Sequence, residues 1–176
     1  MTARTFTLAL VAVVALVATP GRGPSPASAR PGDVIAIRFT GELPNQKVYS
    51  SPGFFLFSGN MTSPQGDVLG TLTHEGVCAL TTPPPCLVFD VTTTFDFAAD
   101  RSPGGRIVNQ AKLSAAPDPQ HPGQLLVGVH QAESTIVEMT GVFAGRTGEA
   151  RMSGRQDCGS CPEFVTFDDF WLIELD

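Results

Sequence analysis

From residue 33 onward, apolar residues recur at every second position, and glycine or proline interrupts the run every few residues. Period-two alternation is the pattern of a strand with one dry face and one wet face. It is clearest in the Gly/Pro-free run 86–102, where Leu87, Phe89, Val91, Thr93, Phe95 and Phe97 share one face and Asp90, Thr92, Thr94 and Asp96 the other. The same pattern predicts strands over 33–40, 54–58, 67–77, 106–115, 124–130, 135–140, 149–154 and 164–175. Between them lie "SPQG", "TTPPPC", "SPGG" and "APDPQHPG", rich in residues that fix or invert φ and so read as turns. Such short connections favour antiparallel neighbours. Eight or nine short antiparallel strands have two solutions, a closed barrel or a two-sheet sandwich. A closed barrel has no exposed edges, and with eight strands its interior is either packed or holds one small ligand.

The last predicted strand, "FVTFDDFWLIEL", places two acids among aromatic residues. Val165, Phe167, Asp169, Trp171, Ile173 and Leu175 form the more apolar face, which assigns Asp169 to the interior and Asp168 to the exterior. A one-residue slip or a bulge would exchange them. A carboxyl among apolar groups resists ionisation, so its pKa rises unless a donor holds the charge. Such a group binds a ligand hydroxyl or passes a proton. The alternative is structural: Asp169 caps a turn or meets Arg38 in a buried pair.

Asn109 shares a face with Ile107, Ala111 and Leu113, so it is a second polar candidate for the interior. It would orient a ligand carbonyl or epoxide oxygen, or else bond a bulged backbone. Phe89, Phe95, Phe167 and Trp171 would line the pocket. The three histidines offer less: His121 lies in a loop, and neither His74 nor His130 has the spacing of a metal site. No metal or cofactor is expected, and no G-x-S-x-G elbow is present.

The first thirty residues change the picture of compartment. Arg4, the apolar run 6–18 and Ala27-Ser28-Ala29 read as a secretory signal cleaved after Ala29. The apolar run is too short for a stable membrane span, with an uncleaved anchor as the alternative. Cleavage leaves one domain, residues 30–176. It removes Arg4 and Arg22, so the formal charge of −6 becomes −8. An acidic chain with no basic run is a poor partner for nucleic acid.

Cys78, Cys86, Cys158 and Cys161 are an even set in an exported chain, which favours disulfides. Of three connectivities, pairing Cys78 with Cys86 and Cys158 with Cys161 is favoured because each pair brackets a turn-like stretch. The C-x-x-C at Cys158 and Cys161 also permits redox exchange or half a zinc site. However, Pro162 and a strand follow it rather than the helix that reactive pairs use.

Within "TIVEMTGVFAGRTGEARMSGR", residues 135–155, a strand leads into a glycine-rich turn around Phe143 and then into another strand. Gly141, Gly145 and Gly148 permit positive φ or close backbone approach there. This segment, with the closing "FDDFWLIEL", resembles the allene oxide cyclase and dirigent barrel families. The families' usual double glycine is replaced by Gly141-Val142, and the cysteine pairs are additions to the shared pattern. The resemblance implies an eight-stranded antiparallel barrel, often trimeric, with a central apolar pocket. Members guide cyclisation or coupling of small hydrophobic intermediates, and allene oxide cyclase converts an unstable epoxide without a cofactor. No family catalytic residue maps onto this chain by motif.

The expectation is therefore an exported all-β barrel that binds, and isomerises or guides cyclisation of, a small hydrophobic molecule. The competing expectation is a non-enzymatic interaction module with a filled barrel. A third is thiol exchange at Cys158 and Cys161.

Overall fold

Alternation closes on itself in space. The structure, a computed structural model, describes residues 33–44, 54–79, 87–99, 104–160 and 164–176. These form eight strands: β1 (Asp33–Pro44), β2 (Phe54–Thr62), β3 (Val68–Cys78), β4 (Val88–Phe97), β5 (Gly105–Pro117), β6 (Gln124–Met139), β7 (Gly148–Ser160) and β8 (Phe164–Leu175). Each pairs antiparallel with its neighbours in sequence, and β8 pairs back onto β1, giving a closed barrel rather than a sandwich. The closing seam is long, with Asp33 opposite Leu175 and Pro44 opposite Phe164. The stretch read as a secretory signal, residues 1–29, lies outside the described residues.

The inward face of every strand is the apolar one. Ile37, Phe39, Met61, Leu72, Phe95, Ile107, Trp171, Ile173 and Leu175 are fully buried. Burying each such side chain contributes on the order of 1.5–3 kcal/mol. Outside, cross-strand ion pairs clasp neighbours: Arg106 with Asp96, Lys112 with Asp90, and Arg151 with Glu174.

Two differences from the sequence pattern stand out. The strands expected over 124–130 and 135–140 are one element, β6. Its register against β5 jumps from Leu113 opposite Val129 to Ala111 opposite Ser134. Residues 130–133 between these pairs are all exposed, so the gap between the two expected strands is an outward excursion within one strand. Strand β7 also runs to Ser160 rather than ending near residue 154, which puts Cys158 within it.

The turn around Phe143 is a short 3-10 turn, Gly141–Phe143. Gly141 has φ of 64° and Gly145 of 78°, a region that favours glycine. Phe143 is buried and packs on Phe97 with ring centroids 4.9 Å apart, stopping this end of the barrel.

Candidate functional site

Strand β8 delivers Asp169 to the interior, where it is 3% exposed. Phe39 of β1 and Gly154 of β7 lie opposite it in the ladders. A β-carbon at Gly154 would collide with Asp169 Oδ1, so the carboxyl occupies space that only glycine leaves open. Asp169 Oδ1 has no hydrogen-bond partner among the described residues. Burial pushes the Asp169 carboxyl up to about 7, with a smaller push from the neighbouring Asp168 charge.

Asp168 lies on the other face. Its carboxylate accepts two bonds from Arg38, from Nε at 2.9 Å and Nη2 at 2.8 Å, and both side chains are more than half exposed. The Arg38 hydrogen bond holds Asp168 below the usual carboxylate range, against a partial opposing effect of burial. The expected alternative, Arg38 meeting Asp169 in a buried pair, is thereby corrected: alternation sends Arg38 and Asp168 outward together.

Asn109 is fully buried on β5, next to a register shift. Its Oδ1 accepts a bond from Ser134 Oγ at 2.8 Å, and its Nδ2 has no partner. The amide is thus held by the β6 excursion, through a side chain rather than through bulged backbone.

His74 is the residue that sequence reasoning passed over. It is 2% exposed, stacked on Phe55 at 5.2 Å and edge-on to Trp171 at 5.8 Å. Its Nδ1 lies 2.7 Å from Thr93 Oγ1, while Nε2 has no partner. We place the imidazole proton on Nε2, because the Thr93 hydroxyl then has Nδ1 as its acceptor. Burial pushes His74 down to about 4, so the ring is neutral near pH 7. The available signal was its phase on β3, two residues from Leu72 and from Gly76, both inward.

Register joins these groups. His74 opposes Thr93, and Thr93 opposes Asn109, so three buried polar side chains cross β3, β4 and β5 in one row. Trp171 connects that row to β8: it touches His74 and sits two residues beyond Asp169 on the same face. Phe95 meets Trp171 edge-on at 5.2 Å, and Phe167 stacks on Phe39 at 4.7 Å. Phe89 is partly buried beside Phe55 at 5.3 Å. Phe143, Gly141, Gly145 and Gly148 belong to the stopper turn and the start of β7, not to this cluster.

Two concavities, of about 480 and 560 Å³, are open grooves on the barrel wall. Asp169, His74 and Asn109 line neither. Among the described residues no group of three or more His, Cys, Asp or Glu is placed to hold a metal. No described helix is long and apolar enough to cross a membrane. Cys78 is disulfide-bonded. Cys86 and Cys161 lie outside the described residues, as does the Cys158 side chain. Compared with known proteins, the chain matches no family model, no curated protein and no solved structure.

Proposed function

We propose that this protein binds a small, mostly apolar molecule inside the barrel and acts on it by proton transfer, as an isomerase-like protein without a cofactor. One observation carries the reading. Asp169, His74 and Asn109 are each buried and each leave a polar atom without a partner, with Trp171 meeting His74 edge-on and lying two residues from Asp169 on β8. An orphaned buried polar group costs on the order of 1–3 kcal/mol, and a ligand's own polar atoms would recover that cost. The resemblance to the allene oxide cyclase and dirigent families points the same way. We further propose export with cleavage after Ala29, pairing of Cys78 with Cys86 and of Cys158 with Cys161, and a homotrimer.

A second reading is a filled barrel whose outer wall meets another protein. The large side chains buried in the interior, and the two grooves on the outer wall, favour it.

Native mass spectrometry of the protein, purified without reductant from a host that exports it, separates the two. The binding reading expects a retained small molecule that Asp169→Leu releases. It also expects a trimer, and a chain lighter by two hydrogens for each disulfide. An empty barrel that Asp169→Leu stabilises favours the filled reading, because only a costly buried carboxyl has been removed.

A further inference from the structure

The interior polar atoms are of two chemical kinds. On one side are His74 Nε2 on β3, a donor in the tautomer assigned above, and the Asn109 Nδ2–H donor on β5. Only Thr93 of β4 separates them in the register, and directly opposed residues in an antiparallel ladder have Cα atoms roughly 4.5–5.5 Å apart. On β8 is one carboxyl, Asp169, two residues before Trp171, the ring that His74 meets edge-on. Each group is held: the imidazole by Thr93, the amide by Ser134, the carboxyl by the gap at Gly154. Fixed donors together with a carboxyl base, in a dry aromatic interior, stabilise an oxyanion while a proton moves on an adjacent carbon.

The composition of the interior narrows the ligand. Among the described residues no Lys or Arg is buried, so an anionic ligand has no counter-charge. Three unpartnered polar handles, beside the buried Thr93 and Gln156, among so many apolar side chains do not suit a polyol. What remains is a neutral apolar compound with one acceptor oxygen and one acidic C–H.

We infer that the substrate is a small apolar β,γ-unsaturated ketone with an acidic C–H between its carbonyl and its double bond, and that Asp169 moves a proton on it while His74 and Asn109 hold its oxygen. This rests on the interior-site reading above. The Asp169 carboxylate takes the α-proton, and the C–H electron pair forms a C=C bond to the carbonyl carbon. The carbonyl π pair passes to oxygen, which accepts bonds from His74 Nε2–H and Asn109 Nδ2–H. The Asp169 carboxylic acid then returns the proton to the far carbon of the conjugated enolate, and the carbonyl re-forms. A double bond has moved, and no atom or electron is gained or lost. The opposed shifts suit these roles: a carboxyl raised to about 7 is a usable base near neutrality, and an imidazole lowered to about 4 is a neutral donor.

The test is proton NMR in D2O with the full chain and cyclohex-3-en-1-one, with the emission of Trp171, the chain's single tryptophan, followed in parallel. Wild type is expected to move the double bond into conjugation and to place deuterium beside it, and the ketone to quench Trp171. Asp169→Asn should abolish turnover and keep the quench. His74→Phe, which keeps the ring stack on Phe55, should slow turnover by roughly 10²–10³-fold, with circular dichroism confirming the fold. Quenching without turnover overturns the ketone inference and leaves interior binding standing. Turnover unchanged in Asp169→Asn overturns it as well. Neither quenching nor turnover removes both.

Discussion

Asp168 and Asp169 are adjacent in sequence and opposite in physics. Arg38 fixes the first as an exposed anion, while the second sits buried with Oδ1 unpartnered. Together with His74 it gives the protein two opposed pH dependences. Folding raises Asp169 from an ordinary carboxylate value to about 7, so its stabilising contribution is present at acid pH and lost as pH rises through about 7. Folding lowers His74 from 6.5 to about 4, so its contribution is present above 6.5 and lost as pH falls through about 4. Between about 4 and 6.5 the two slopes oppose each other. We expect the wild type's stability to change little with pH there on account of these two groups. Asp169→Asn should make stability rise with pH across that window, by on the order of 3 kcal/mol, and His74→Phe should make it fall. Urea unfolding at a series of pH values checks this, and parallel curves for all three proteins would contradict it.

At this scale the sequence was partly legible. Asp169 could be placed inside because Phe167 and Trp171 flank it in phase. Asn109 followed from Ile107 and Ala111. His74 escaped because its row, with Thr93 and Asn109, exists only across strands, and cross-strand register is not written in any one of them.

At the scale of elements, glycines mark where two parts compete for space. Gly154 lies beneath the Asp169 carboxyl. Gly154→Ala should therefore destabilise the protein by about 1–3 kcal/mol. Asp169→Ala should recover much of that loss in the double variant, because it vacates the contested space. Additive losses in a double-mutant cycle would show that the two positions do not meet.

The turn from β6 to β7 is a second such element. Phe143→Ala should cost about 3–5 kcal/mol in thermal or denaturant unfolding, since it empties the plug over Phe97. Strand ends were legible to within a few residues wherever glycine or proline stopped the pairing. Strand β6 was not, because its exposed residues 130–133 carry a loop's polarity inside a continuous strand.

For the whole molecule, barrel and sandwich share the same alternation, and only the pairing of β1 with β8 decides between them. That pairing is the longest-range contact between strands, so the local pattern could not contain it. Closure also sets the division of labour: hydrophobic burial inside holds the fold, and the exposed ion pairs outside add little. Lys112→Ala should change stability by less than about 1 kcal/mol despite its 2.7 Å contact with Asp90. Denaturant midpoints check this.

This closed interior holds a carboxyl and a neutral imidazole whose proton affinities are displaced in opposite directions. Carbon and nitrogen NMR titration of the folded protein, with Asp169 and His74 assigned, tests it most directly. The Asp169 carboxyl should give up its proton near pH 7, and His74 should stay neutral down to about pH 4. An Asp169 that titrates as an ordinary surface carboxylate, with a His74 that titrates near 6.5, would contradict it.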